Sequence, residues 1–306
     1  MPEKVIIDTD PGIDDAMAIL FALTHPEIEL LGLTAIFGNV TVDIGTRNAL
    51  RLSELARKPV PVAKGAAVPL EQTPRPIASF VHGEEGFGSV PAAEPSGTRD
   101  LRPAAQFLVD AVNEMPGDVV LCPVGPLTNL ADALALDPSI ADRVKAVHIM
   151  GGSIQAGGNA SPHAEANIWQ DPHAADRVMA ASWPIRMIGL DVTQKVRTTE
   201  KEFADLASKA PTLGGFLNEA VQFYFGFHEE HEGFYGAYMH DALAVISIIR
   251  PEFFGYEAAH FEIISDGEKA GATMVSGVPE HNHQWARDVK AEEAKEFFFS
   301  HMAATG

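Results

Sequence analysis

The chain has 306 residues, 46% of them hydrophobic, and 22 Lys+Arg against 42 Asp+Glu give it a net charge of −20. So acidic a surface repels phosphate backbones and anionic lipids, which argues against nucleic acid or membrane as a main partner; it suits a neutral small molecule or a site built around a cation. The single cysteine, Cys122 in VVLCPVG, excludes an intrachain disulfide framework, fits a reducing cytoplasmic compartment, and reads as a buried structural thiol. The N-terminus MPEKVIIDTD lacks the basic and apolar regions of a signal peptide, and no run approaches the roughly 18 apolar residues of a membrane span.

Residues 4–8 form an apolar run suited to a buried strand, and Pro11-Gly12 supplies a turn. A helix is predicted from Asp14, because Ala16, Ile19, Leu20 and Leu23 recur at i, i+3, i+4 and i+7. A second strand is expected over 30–37 and a helix over 42–57. Residues 72–98 are rich in Gly and Pro and lack sustained periodicity; a loop that long suits an active-site lid, with a solvated insertion as the plainer alternative. Pro103 opens a helix with Phe107, Leu108, Ala111, Val112 and Met115 on one face. A strand over 119–123 passes through Gly125-Pro126 to a helix bearing Leu127, Leu130, Ala131 and Leu134. Further strands fit 144–150 and 185–190, and a late helix carries Ala242, Val245, Ile246 and Ile249. His281-Asn282-His283 reads as a surface loop before a C-terminal helix over 291–301. Strand, turn and helix repeated in this way predict one α/β domain over 1–306, with a mostly parallel, open, twisted sheet covered by helices on both faces in the Rossmann-like manner.

Such sheets bind ligands beyond the C-terminal ends of their strands. DTDPGIDD puts four carboxylates, Asp8, Asp10, Asp14 and Asp15, within eight residues at the first such end. Carboxylates this close repel one another unless a positive group sits among them, and a hard divalent cation is the simplest remedy. A single Asp here would be read as a helix cap with solvated neighbours; four together point to a site. Asp8, two residues before Asp10 and on the same side of an extended strand, is either a competing ligand or a support behind it. The D-x-D pattern alone also fits the nucleophile loop of a haloacid dehalogenase-type phosphatase. That reading expects Thr or Val where Gly12 stands, and a lysine to hold phosphate.

Carried further, DTDPGIDDAMAIL resembles the N-terminal fingerprint of the inosine–uridine preferring nucleoside hydrolase family. The likeness continues in order through TAIFGNV, VHGEEGFG, VGPLTNLADAL, MGGS, Glu165-Ala-Asn167 before WQDPHAA, and His240-Asp241. It implies calcium-dependent hydrolysis of the N-glycosidic bond of ribonucleosides to free base and ribose, through an oxocarbenium-like transition state. The resemblance makes Asp10, Asp15, Asp241 and the Val124 carbonyl the Ca2+ ligands, with Asp10 also activating the attacking water. Asp14, Asn39, Asn167 and Asp241 resemble the groups that hold the 2′- and 3′-hydroxyls, Asn159 and Glu165 those that hold the 5′-hydroxyl. His240 matches the histidine that protonates the departing base. A homodimer or homotetramer is expected on the same ground.

The base pocket is sought in the segment carrying Phe223, Tyr224, Phe227, His228, His231, Phe234 and Tyr235, with His82 in the 72–98 loop as a further candidate. Tyr224, His228, His231 and Tyr235 could stack on a base or donate protons to it, whereas Phe223 and Phe227 also fit a helix packing its aromatics inside. No tryptophan flanks His82, unlike the purine-specific branch that stacks the base between tryptophans, so a pyrimidine or mixed inosine–uridine preference is expected. Ala166 and Ala160 depart from the family's usual residues beside the 5′-end of the sugar. A nucleoside- or ribose-binding protein without turnover is the alternative that keeps the same pocket.

Overall fold

In the computed structural model, which describes residues 1–277 and 281–306, the apolar runs become the inner strands of an eight-stranded sheet. The first half of the chain runs β1 (Glu3–Thr9), α1 (Ile13–Thr24), β2 (Ile28–Ala35), α2 (Val42–Leu55), β3 (Val62–Lys64), α3 (Ser79–His82), α4 (Ala104–Glu114), β4 (Val119–Pro123), α5 (Thr128–Leu136) and β5 (Ala146–Met150). Then come α6 (Ala166–Gln170), α7 (Pro172–Met179), β6 (Ile185–Ile188), α8 (Leu190–Thr193), β7 (Arg197–Thr198), α9 (Glu200–Lys209), α10 (Leu213–Glu232), β8 (Ala237–Tyr238) and α11 (His240–Ile249). The chain closes with β9 (Phe254–Ala258), β10 (His260–Ile263), β11 (Thr273–Ser276), β12 (Gln284–Val289) and α12 (Ala291–Ala303).

Across the sheet the order is β3-β2-β1-β4-β5-β6-β12-β9, parallel throughout except where β9 runs against β12. The pleat sends alternate residues to two cores. Val5, Ile7, Val120 and Cys122 face the layer built on α1, α10, α11 and α12, while Ile6, Val119, Leu121 and Val147 face the layer of α4, α5 and α7. From β1 the chain goes outward to β2 and β3, then returns to place β4 on the other side of β1. The topological switch point therefore lies between the ends of β1 and β4, where Asp10 and Val124 follow. Among the described residues, no helix is long and apolar enough to cross a membrane.

The second strand begins two residues before the expected 30–37 span and ends at Ala35. The 42–57 helix stops at Leu55, and Arg57 turns left-handed at φ 53°. The strand expected over 185–190 ends at Ile188, because Leu190 already starts the short α8. The four C-terminal strands were not expected. One of them corrects the surface-loop reading at His283 alone: His281 and Asn282 form a bend with Asn282 exposed, whereas His283 is buried, stacks on Phe261 and leads directly into β12. Packing of this strand-flanking side chain against Phe261 of β10 accounts for its burial, since nothing in a polar triplet signals it. The 72–98 stretch is anchored to the domain at several points, although residues 91–94 and 96–98 are exposed. Phe87 is fully buried against Phe216, Arg47 pairs with Glu85, and the Arg75 guanidinium lies 3.7 Å over the Trp169 ring.

Candidate active site

The acidic floor is set by the ends of two buried helices. α1 and α11 pack together, and their N-terminal turns carry Asp14 and Asp15 on one and Asp241 on the other. Helix N-termini favour negative charge, but not enough to offset this burial: burial first, and the neighbouring acids second, push Asp15 up to about 6 and raise Asp241 well above the usual carboxylate range. Asp14 is raised by burial to about 6. One carboxylate oxygen from each of Asp14, Asp15 and Asp241 lies within 4.8 Å of the others. Asp14 Oδ1 and Asp241 Oδ2 are buried without a hydrogen-bond partner among the described residues.

Asp10 stands at the same centre, and Asp15 and Asp14 add to the burial that raises it. Its Oδ2 accepts the Asn39 backbone N–H at 2.6 Å, while Oδ1 has no partner among the described residues. Glycine is required on both sides. A Cβ at Gly38 would overlap Oδ2, and one at Gly125 would stand 2.6 Å from Oδ1. Asp15 is tied down by Thr9, the Gly12 N–H at 2.8 Å and Asn39 Nδ2 at 3.1 Å. Asp8 belongs to a different knot: Thr34 and Asn129 donate to its Oδ1, and burial lifts its pKa to about 7. Bare, buried, mutually repelling oxygens fit a divalent cation, and this acidic cluster could bind one. Asp14, Asp15 and Asp241 would hold it, with Asp10 alongside and the Val124 carbonyl at the rim.

Above the floor opens a cavity of about 310 Å3. On one side Asn167, in α6, donates to the Val124 carbonyl at 2.9 Å and to the Met150 carbonyl at 3.1 Å, so the side chain bridges the ends of β4 and β5. Glu165 caps α6, accepting backbone N–H groups from Gly152, Asn167 and Ile168; burial lifts it to about 7. Asn159 accepts the Ala166 N–H at 3.0 Å, leaving its amide nitrogen for the cavity.

The opposite end is aromatic and rich in histidine. His82, Tyr224, Phe227, His228 and His240 line it, with Phe80 at the mouth. His82 accepts the Ile13 N–H at 3.2 Å and, buried, is pushed down to about 4. Gly12 lacks a side chain where one would meet His82 at 2.6 Å. His240 opens α11, its Nδ1 is 2.7 Å from Thr193 Oγ1, and burial pushes it down to about 3. No Lys or Arg is among the described lining residues.

The inosine–uridine preferring nucleoside hydrolase family model matches residues 5–296. The chain belongs to this family. Membership makes it an N-glycosyl hydrolase of ribonucleosides. It is similar to uridine nucleosidase 1 of Arabidopsis thaliana, 41% identical over 274 residues that cover 89% of this chain and 82% of the relative. A solved plant nucleoside hydrolase, PpNRh1, superposes with a TM-score of 0.94 at 35% identity, over 99% of this chain and all of that one. A purine-preferring ribonucleoside hydrolase from Gardnerella vaginalis superposes with a TM-score of 0.95 at 32% identity, over 99% of each chain.

In this nucleoside hydrolase the sequence-expected residues Asp14, Asn39, Val124, Asn159, Glu165, Asn167, His240 and Asp241 all line one cavity, with Asp10 and Asp15 beneath it. Asp14, which the resemblance placed against the sugar, belongs to the tight carboxylate cluster, in keeping with the four-carboxylate reading of DTDPGIDD. The base-side candidates divide. His82, Tyr224 and His228 line the cavity; His231 does not, its ring turned back onto the Phe227 carbonyl at 3.0 Å on an exposed turn. Tyr235, 44% exposed, bonds Gln222 outside the cavity. Phe227, also readable as core packing, is at the cavity wall. Trp169, Gln194, Glu232 and Phe80 were not anticipated. A tryptophan next to the Asn167 motif was the one readable hint, whereas the other three are brought in by tertiary packing alone.

Proposed function

We propose that the chain hydrolyses uridine- and inosine-type ribonucleosides to ribose and free base, with calcium in the acidic floor. The observation that carries this is the convergence of Asp14, Asp15 and Asp241 within 4.8 Å, with bare buried oxygens on Asp14 and Asp241 and on the adjoining Asp10. An all-oxygen set of several carboxylates and a carbonyl is the donor chemistry of a hard cation, and calcium tolerates the high coordination number that two sugar hydroxyls would complete. The chemistry a cation supplies there is positive charge that holds the vicinal diol and eases loss of a proton from water.

The chain's own residues do the rest. Asp10, clamped at Oδ2 and open at Oδ1, is built to take a proton from the attacking water. Breaking the ribosyl C–N bond places positive charge on the sugar, which the anionic floor stabilises. Asn167 and Asn39 flank the diol, and Asn159 and Glu165 stand where a 5′-hydroxyl would reach. His240 is neutral near pH 7 because of its lowered pKa. It therefore assists the departing base by offering an N–H hydrogen bond rather than by delivering a proton as imidazolium.

The test measures release of reducing sugar from uridine, inosine, cytidine and adenosine, before and after chelation and with calcium restored. Loss on chelation, recovery with calcium, and loss of about 10²-fold or more in Asp10→Asn are expected. Binding of uridine without product would instead favour a nucleoside-binding protein, and full activity in Asp10→Asn would remove the proposed base.

A further inference from the structure

Three histidines face the aglycone end of the cavity, and their partners put the ring proton in different places. Gly236 offers His228 Nδ1 a backbone carbonyl at 2.9 Å, and a carbonyl can only accept. The proton of neutral His228 is therefore on Nδ1, and its Nε2 is an acceptor with no hydrogen-bond partner among the described residues. His82 is the reverse: the Ile13 backbone N–H donates to its Nδ1 at 3.2 Å, so Nε2 carries the proton. His240 matches His82. Thr193 Oγ1 is fully buried, and Nδ1 at 2.7 Å is its one hydrogen-bond partner among the described residues, so the hydroxyl donates and leaves N–H on Nε2. One end of one cavity thus presents two imidazole donors and one imidazole acceptor.

The acceptor ring is fixed. Phe234 stacks on His228 with centroids 5.1 Å apart, Tyr238 meets it edge-on at 4.9 Å, and Tyr224 leans on it at 4.2 Å. Turning the ring over would present a carbon to the Gly236 carbonyl and orphan that buried bond. Burial lowers the His228 pKa, which keeps the ring neutral near pH 7.

We infer that His228 is the specificity-determining residue of the base pocket, its Nε2 accepting the lactam N–H of a uracil- or hypoxanthine-type base. A lactam presents a carbonyl oxygen beside an N–H, and a neighbouring histidine donor with the His228 acceptor complements that pair. The ring expected from sequence to donate to the base instead receives from it. The inference rests on the proposal that the substrate is a nucleoside. It adds the atom on the protein that reads the ring.

The experiment compares uridine with 3-methyluridine as substrates of the calcium-loaded wild type and of His228→Ala. The wild type is expected to prefer uridine by about 10²-fold in kcat/KM, since the methyl removes the donated N–H and fills its space. His228→Ala is expected to lose about 10- to 100-fold on uridine and to cleave the two substrates within about 3-fold of each other, because the methyl then occupies the vacated site. A preference that survives intact in His228→Ala, or unchanged uridine hydrolysis by that variant, overturns the inference. Should the variant not fold, nitrogen-15 spectra of histidine-labelled wild type decide the matter, with a protonated Nδ1 and bare Nε2 expected and a proton on Nε2 refuting it. A wild type that cleaves no nucleoside fails the hydrolase reading itself, whereas a cleaving enzyme with the wrong pattern fails only His228.

Discussion

Gly125→Ala tests the positioning of Asp10 without touching any charge. The new Cβ would stand 2.6 Å from Asp10 Oδ1, 2.8 Å from Ile36 Cγ2 and 3.1 Å from Asp10 Cγ. Ile36 is fully buried and cannot swing away. On the far side, Asp10 Oδ2 is held at 2.6 Å by the Asn39 N–H and closed in by Gly38. Reaching an ordinary contact of 3.4 Å therefore moves Oδ1 by about 0.8 Å. A misplacement near 1 Å costs on the order of 10²-fold in rate, equivalent to about 2.7 kcal/mol of barrier. The groups that hold the sugar are not displaced, so the loss is expected in kcat rather than KM. The assay is steady-state release of reducing sugar from uridine at saturating calcium, with the melting temperature recorded in parallel. Gly215→Ala is the control, because a Cβ there meets nothing within 4 Å. A folded Gly125→Ala enzyme with kcat within about 3-fold of wild type would refute the claim that this oxygen is held for the reaction.

Three further outcomes follow from the same geometry. Because Asp14 and Asp15 are pushed up to about 6 from 3.8, the metal-free fold holds protons there that the unfolded chain has lost; this stabilising contribution is complete below about pH 4 and lost as pH rises through 6. Buried His82 and His240, pushed down to about 4 and 3, act oppositely and are common to both forms, so the quantity to measure by calorimetry is the calcium-induced rise in melting temperature, expected to grow between pH 4 and 7; a flat profile would count against a cation among these acids. Thr193→Val removes the hydroxyl that holds the His240 ring proton on Nε2 and is expected to lower kcat about 10-fold with KM little changed, and unchanged kcat would show that Thr193 does not position His240. Arg75→Ala unties the 72–98 segment from the Trp169 ring and carbonyl, and a several-fold rise in KM with kcat nearly constant is expected from uridine kinetics; an unchanged KM would mean the tie does not shape the cavity.

The parallel half of the fold was legible because β1, β4 and β5 are buried on both faces and read as unbroken apolar runs. The acidic floor was legible for a related reason: strand ends in such a sheet are where ligands sit, and Asp10, Asp14 and Asp15 are adjacent in sequence. β9 to β12 were not legible. Their segments, FGYEA, HFEI, TMVS and QWARDV, are short and half-exposed, and their pairing is a matter of distant partners. The aromatic stretch after residue 220 was seen as a group, but helical register decides its roles. Tyr224, Phe227 and His228 fall on the cavity side of α10, while His231, one turn on, passes the edge of the cavity. Glu232, Gln194 and Phe80 carry no local signal because each is brought to the cavity by packing between separate elements.

Floor and wall differ in what can vary. Every floor residue stands on a strand end or the first turn of a buried helix, and Gly38 and Gly125 pack closely on the two sides of the Asp10 carboxylate. The base-side wall comes from α3, the C-terminal turns of α10 and His240 at the start of α11; there Phe80 is 64% exposed and Glu232 precedes the left-handed Gly233. A uridine nucleosidase at 41% identity and a purine-preferring hydrolase at a TM-score of 0.95 are both this close to the chain. Overall backbone shape thus does not distinguish this chain from the purine-preferring enzyme, and the side chains that the shared frame presents are where a difference in base preference is to be sought. Position 228 is well placed to carry such a difference. On the inference above a residue there reaches the base through its side chain, and the Gly236 carbonyl holds the ring proton of His228 on Nδ1. Exchanging the acceptor for a donor would invert the hydrogen-bond pattern without moving the sheet.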